Sequence, residues 1–480
     1  MTRYIEGENR QQSTLFPQSL DEYIAEDNPV RVVEVFVDAL DLSTLGFNRT
    51  IPADTGRPSY HPSTLLKIYI YGYLNRIQTS RRLERETQRN IELIWLTGRL
   101  SPDFKTIADF RKDNGKAIQK VCSQFVELCK HMGVFEQSNI VIDGSKFKAV
   151  NSRDNNYTEG KIKARIAQTE KRVARYLDEL DRADRQPETA PKARITHLTK
   201  RLKAAKTLLK RLTDIEEQIK ENPDSQISMT DPDARSIATS GKGTAIVGYN
   251  VQSAVDDRHH IIVAHEVTNR GHDRDQLSPM SEKAKNATGI EKLTVYADRG
   301  YYSSLEILAC EQNGIVPMVP KTITSNSKSA GRFEKQDFKY ISEANEYECP
   351  AGERAPHRFD SMEKGLKVGV YWPSNTTCAD CEIKAQCTTS KHRRIRRWEH
   401  EDVLDRMQHR LDSQPEASRI RRQTVEHPFG TLKSWMGSTH FVMKTLKKVA
   451  TEMSLHVLAY NMKRMIAILG AQILIRKITA

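Results

Sequence analysis

No stretch of the 480 residues approaches the ~20 consecutive apolar residues that a bilayer-spanning helix requires. The segment Met1 to Ser19 is mostly polar and has no apolar run ahead of a small-residue cleavage site, so neither export nor membrane association is expected, and a cytoplasmic location is. An aromatic-rich RNA-recognition motif is absent as well, which leaves an RNA-binding scaffold without support. Cysteine is scarce, at seven. Cys122, Cys129 and Cys310 are scattered through apolar-patterned segments, whereas Cys349, Cys378, Cys381 and Cys387 fall in one polar region. In a reducing compartment that cluster reads as metal-binding thiols before disulfides.

What the chain has in excess is positive charge: Lys plus Arg total 75 against 62 Asp plus Glu, a net +13. Such a balance suits a polyanionic partner, because each neutralised phosphate releases counterions. An ordinary basic surface gives the same number, so charge alone does not choose between them. The length suggests two or three packed units.

Helical spacing dominates the first part. Leu65, Leu66, Tyr69, Tyr73, Leu74 and Ile77 recur after Pro62, which suits a first helical turn. A second helix is expected from Ser80 to a stop at Gly98 with a basic surface, and a third from Phe104 to Met132, ended by Gly133. Residues 1–135 are therefore expected to form an all-α domain, a candidate for binding DNA ends. The period then shortens. Asn139 to Asp143 reads as a strand, and Phe147 to Val150, after Gly144 and Ser145, as the start of its hairpin partner. Residues 159–222 have a thin apolar seam in a charged background, the pattern of a helical hairpin turned near Pro187 to Pro191.

Ile246 to Val255 and Ile261 to Val267 form a second expected hairpin, followed by a helix from Asp273, with Asp273 as its N-cap. A strand ending at Asp298, a helix over Ser303 to Asn313 and a strand over Ile315 to Val319 come next. Residues 321–405 look irregular and cysteine-rich, and helical pattern resumes at about Pro415 and continues through 406–480. Three strands, helix, strand, helix, strand, insertion, helix is the order of an RNase H-like α/β core. On this reading the core is 136–158 with 223–320, completed by 406–480, and interrupted by the hairpin insertion and the cysteine-rich insertion.

Asp143 and Asp298 each follow a β-run, and Glu426 lies in the late helical region. Alone, each has an ordinary explanation as a turn residue or a solvated charge. Their settings are more specific. Val141-Ile142-Asp143-Gly144-Ser145, Ala297-Asp298-Arg299-Gly300-Tyr301-Tyr302-Ser303 and Val425-Glu426-His427-Pro428-Phe429-Gly430-Thr431 resemble the three catalytic blocks of DDE insertion-sequence transposases, a likeness extending over nearly the whole chain. Arg422 and Lys433 match the Arg and Lys of a Tyr-Arg-Glu-Lys signature found in part of that superfamily, while the Tyr position is Arg419.

The resemblance implies that Asp143, Asp298 and Glu426 hold two Mg²⁺ or Mn²⁺ ions, hard cations that prefer oxygen ligands and serve in-line attack on phosphorus. It implies binding to terminal inverted repeats in double-stranded DNA, hydrolysis that frees a 3′-hydroxyl, transfer of that hydroxyl to target DNA, and a homodimer or higher oligomer on DNA. Arg422 and Lys433 then read as phosphate clamps. Tyr249-Asn250-Val251-Gln252 and Thr230-Asp231-Pro232-Asp233-Ala234-Arg235 also resemble family blocks and are expected to shape the site without ligating metal. Pro428 should kink the helix just after Glu426.

Cys349, then Cys378-x2-Cys381-x5-Cys387, is a moderate signal for a structural Zn²⁺ site, with free thiols or a redox pair as alternatives. The basic run from His392 to Arg397 beside it is a further candidate for DNA contact. Two rivals share the same residues: a metal-dependent nuclease that does not join ends, and a non-catalytic DNA-binding zinc protein derived from a transposase.

Overall fold

The computed structural model describes residues 19–480 except 53, 56–57, 137–138, 152–154, 186–191, 222–224, 240–244 and 322–330. Most of the Met1 to Ser19 segment and the expected turn at Pro187 to Pro191 lie outside the described residues.

The N-terminal part is helical, but with more breaks than the periodicity predicts. Helix Pro62–Leu74 is followed by Ser80–Thr87 and Ile91–Leu96 in place of a single helix. Asn90 makes the break, because its side chain accepts from the amides of Glu92 and Leu93 and so starts a new helix. The expected third helix divides into Phe104–Asp113 and Gly115–His131 at Asn114, whose amide returns to the Phe110 carbonyl and whose oxygen accepts from Asn48. These helices surround Leu446–Leu469, which is buried on nearly every side from Val449 to Met465. One continuous apolar core therefore joins the first and last parts of the chain.

Among the described residues there are three sheets. The central one comprises β1 (Ile140–Lys148), β4 (Arg235–Ala238), β5 (Ala245–Asp256), β6 (Ile262–Thr268), β7 (Leu293–Tyr296) and β8 (Ile315–Met318). β5 runs antiparallel to β1 across nine residue pairs and carries β4 and β6 along its other edge, while β7 is parallel to β1 and β8 to β7. Helices Leu277–Thr288 and Ser304–Gln312 connect β6 to β7 and β7 to β8.

The strand and hairpin expected over 139–150 are instead the single strand β1, passing straight through Gly144 and Ser145. A Cβ at Gly144 would lie 2.7 Å from both Asp273 Oδ1 and Gln252 Nε2, so this glycine serves close packing and not a turn. Asp273 is also not a helix cap. The helix after it starts at Leu277.

Two regions have cores of their own. Helices Glu159–Arg185 and Lys192–Glu221 pack together over Ile162, Leu212, Ile215 and Ile219, rooted on a small sheet of β2 (Asn156–Thr158) and β3 (Gln226–Ser228). The stretch after Lys321, expected to be irregular, contains an antiparallel five-stranded sheet of β9 (Lys339–Ile341), β10 (Glu346–Glu348), β11 (Arg354–Glu363), β12 (Leu366–Tyr371) and β13 (Ile395–Trp398). Its core is aromatic, with Tyr347 ring centroids 5.0 Å from Tyr340 and 5.2 Å from Tyr371.

Candidate active site

Strand periodicity decides where the first acid points. Ile140 and Ile142 enter the main core, whereas Val141 joins a separate cluster with Tyr296, Met318, Ala417 and Val425. Helix Ala417–Gly430 therefore covers that second face of β1, β7 and β8. Asp143 and Asp298 each stand two residues beyond the parallel pair Val141–Tyr296, so the register sets them side by side on this face. Asp298 accepts from the Gly300 amide at 2.8 Å and caps the short turn Arg299–Tyr301.

Burial pushes the Asp143 carboxyl up to about 6. Arg421 opposes that shift, and the negative charges of Asp298 and Asp273 add to it. The desolvated Asp143 carboxylate is therefore repelled by its acidic neighbours when no cation lies beside it.

Ser145 and Lys433 extend the same face. Lys433 Nζ donates to Ser145 Oγ at 2.7 Å and to the Lys146 carbonyl at 3.0 Å, and sits 4.6 Å from the Phe147 ring centroid. Its burial favours the neutral amine while nearby Asp143 favours the ammonium. Lys433 lies in a π-helical turn, Thr431–Trp435, that follows the Ala417–Gly430 helix. The helix is not broken after Glu426, the position of the kink expected from Pro428, but continues through Pro428 to Gly430, where the π-helical turn begins.

Arg422 behaves differently from Lys433. It is exposed, and its Nε returns to the Ser418 carbonyl at 3.4 Å in its own helix. Arg421 is the arginine near enough for its charge to act on Asp143. The signal that finds it is helical: Arg421 precedes Val425 by four residues, and Val425 is buried against the sheet. Glu426, one position further on, is exposed and makes no hydrogen bond or ion pair with another described residue. Arg419 is exposed too. His427 turns away, with Nδ1 2.9 Å from the Tyr460 hydroxyl.

A third aspartate completes the sheet side. Asp273 Oδ1 accepts from Asn250 Nδ2 at 2.7 Å and from Gln252 Nε2 at 2.6 Å, and the buried Tyr301 hydroxyl donates to Gln252 Oε1. A Cβ at Gly300 would lie 2.9 Å from Asp298 Oδ1 and 3.7 Å from Asp273 Oδ2, so the two carboxylates flank this glycine. Asp231, by contrast, is fully buried and binds the Tyr249 hydroxyl at 2.8 Å and the Thr445 amide at 3.0 Å. With Asp233 accepting from the Leu446 amide, the Thr230 to Arg235 block fastens the start of the last long helix.

In donor chemistry Asp143 and Asp298 fit a hard divalent cation. Among the described residues, however, no group of three or more His, Cys, Asp or Glu side chains is already gathered closely enough to hold a metal ion. The same holds for the cysteines. Cys349, Cys378, Cys381 and Cys387 are free, half-buried and line one small cavity with Phe333, Phe338 and Arg393. Burial raises the Cys387 thiol, Arg393 lowers it, and the other three thiols raise it further. That donor set fits a soft ion such as Zn²⁺ in kind. The adjoining basic run is internally engaged: Arg393 and Arg397 lie over Phe338 and Tyr340, and Arg396 pairs with Glu363.

Comparison with known proteins adds identity to this geometry. The family model described as Transposase domain (DUF772) matches residues 18–113, and that described as Transposase DDE domain matches residues 348–466. No curated protein matches significantly. Among solved structures, that of the piggyBac transposase synaptic complex with hairpin DNA aligns over 94% of this chain and 79% of that one at 9% identity, with a TM-score of 0.32 that carries no fold assignment. The first match ends in the helices packed around Leu446–Leu469, and the second takes in the four clustered cysteines, Glu426 and Lys433. The chain is a DDE-type transposase.

Proposed function

We propose that this transposase cuts and joins DNA at one site formed by Asp143 and Asp298 on the sheet and Glu426 on the covering helix, acting on terminal inverted repeats and then on target DNA. The observation that carries the reading is that Asp143 on β1 and Asp298 just past the end of β7 each follow the parallel pair Val141–Tyr296 by two residues, close enough for the Asp298 charge to act on Asp143, on the face covered by the helix that bears Glu426. The strand order β6-β5-β1-β7-β8, with the first three antiparallel and the rest parallel, supports an RNase H-like core. The separate apolar clusters of the hairpin and of the five-stranded sheet support reading 159–222 and 321–405 as insertions into it.

Asp143, Asp298 and Glu426 are the groups that would hold Mg²⁺ or Mn²⁺, which when bound activates the attacking oxygen and stabilises the leaving one. The chain's own contribution is positional. β1 and β7 fix the two aspartates, Arg421 and Lys433 supply positive charge beside Asp143, and Asp273 holds Asn250 and Gln252 behind Gly144. Water and a 3′-hydroxyl are both oxygen nucleophiles, so one set of residues serves cleavage and joining without a covalent protein–DNA link. The four cysteines would hold a structural Zn²⁺. An oligomer on DNA, in the cytoplasm, completes the reading. All seven cysteines are free, which suits a reducing compartment.

The test uses duplex DNA carrying the element's ends, with either a 3′-hydroxyl or a 3′-deoxy terminus on a precut strand. With Mg²⁺ the natural protein should cut intact ends and join only the 3′-hydroxyl form. Asp298→Asn should bind the same DNA and do neither. Cutting without joining assigns a nuclease, and equal activity in both proteins removes Asp298 from the site.

A further inference from the structure

The two helices of the 159–222 hairpin differ in how their charges are satisfied. On Glu159–Arg185, cations pair with acids one turn away: Lys163 with Glu159, Arg175 with Glu179, Arg182 with Asp178 and Arg185 with Asp181. On Lys192–Glu221, the segment from Ile195 to Thr213 contains no acid. Within it Lys200, Arg201, Lys203, Lys206, Lys210 and Arg211 are all exposed, and none has an ion-pair partner among the described residues.

Their spacing places them together. Leu198, Leu202 and Leu212 are buried and face the partner helix, so Lys200, Lys203, Lys210 and Arg211 occupy the opposite face, with Arg201 and Lys206 at its two margins, over about 16 Å of helix. Lys200–Lys203, Lys203–Lys206 and Lys206–Lys210 are like charges at three- or four-residue spacing, an arrangement that weakens a helix standing alone in water. The first helix does not neutralise this side either. A groove at Leu208 is lined there by Lys161, Arg165, Gln168, Thr169 and Arg172, without a carboxylate.

We infer that the outer face of the second hairpin helix, Lys200 to Arg211, binds the phosphate backbone of duplex DNA. The partner is chosen by charge complementarity: duplex DNA presents one phosphate per ~1.7 Å of axis with both strands counted, so a ridge of this length meets several phosphates along the side it faces. Between Lys200 and Arg211 the surface carries no acid to repel phosphate and no aromatic side chain to stack a base, so contact with the backbone is its expected contribution. The hairpin springs from β2, shortly after β1, the strand that carries Asp143, and so can hold DNA that extends beyond the catalytic site. This inference rests on the transposase reading for its partner.

The experiment is fluorescence anisotropy on the full chain with a 30-base-pair duplex of unrelated sequence, without divalent ions, across a salt series. Three proteins are compared: the natural chain, one with Lys200, Arg201, Lys203, Lys206, Lys210 and Arg211 all changed to Gln, and one with Lys163, Arg175, Arg182 and Arg185 changed to Gln. Glutamine keeps helix propensity, and circular dichroism checks that the hairpin remains. Every phosphate that is no longer neutralised should reduce the slope of log affinity against log salt by about 0.9, so the six-residue variant should lose about 5 of that slope and at least ~100-fold in affinity at low salt. The four-residue variant should stay within ~3-fold of the natural chain. A six-residue variant with the natural slope and affinity, or equal losses in both variants, overturns the inference and leaves the transposase reading standing. No duplex binding by the natural chain overturns both.

Discussion

The sheet and the helix that covers it present their acids in different ways. Asp143 is held within β1, Asp298 caps the short turn that follows β7, and Asp273 behind them is fixed by two side-chain amides. Glu426 stands exposed with no partner among the described residues, on a helix whose buried residues Val425 and Phe429 flank it. On the proposed reading, the difference teaches that the sheet side of the site is preorganised by the fold, while the helix side would be completed by cation and DNA. Stability and activity should therefore respond differently to changes on the two sides.

On the sheet side, the largest expected effect is at the two aspartates. Asp143→Asn and Asp298→Asn should each lower the single-turnover cleavage rate by at least ~10³-fold, about 4 kcal/mol of transition-state stabilisation, with DNA binding retained. Asp273→Ala comes next. It removes the acceptor of two buried amide donors, so it should destabilise the protein by about 1–3 kcal/mol in denaturant titration and slow cleavage by at least ~10-fold. Unchanged stability would detach Asp273 from the positioning of β5.

The pH dependence sharpens the comparison. The folded-state Asp143 carboxyl, raised to about 6 from its ordinary value of 3.8, prefers its proton. Its contribution to stability is therefore full below about pH 4 and is lost as pH rises through about 6. In chelator at pH 8, Asp143→Asn should raise stability by about 1–2 kcal/mol and flatten the slope between about pH 4 and 6. Glu426→Gln, at an exposed side chain, should leave the stability at pH 8 unchanged. The smallest pair tests the helix register: Arg421→Gln should slow cleavage by ~10-fold or more, Arg422→Gln by less than ~3-fold, and equal losses would contradict the place assigned to Arg421.

Much of the fold is legible because strand signals are local. The β-branched runs before Asp143 and Asp298 and around Val251 and Val263 mark the central strands, and loops of a few residues fix their neighbours. Tertiary competition hides the rest. Asn90 and Asn114 break helices through side-chain bonds that periodicity does not register. Gly144-Ser145 resembles a turn, yet remains extended because Asp273 and Gln252 need the space beside Gly144. The five-stranded sheet after Lys321 is built from strands as short as three residues and held by a tyrosine cluster, below the reach of alternation. At the candidate site the acids are visible as motifs. The signature selects Arg422 because it counts positions, whereas the arginine whose charge acts on Asp143, Arg421, is found from the buried stripe marked by Val425.

The most direct test is single-turnover cleavage of prebound end DNA by Glu426→Gln in Mg²⁺, with binding and thermal unfolding followed on the same preparation. The account predicts natural stability, natural DNA affinity and a rate reduced by at least ~10³-fold, matching Asp298→Asn. A Glu426→Gln enzyme that cuts at the natural rate would contradict it, and would leave the catalytic acids to the sheet alone.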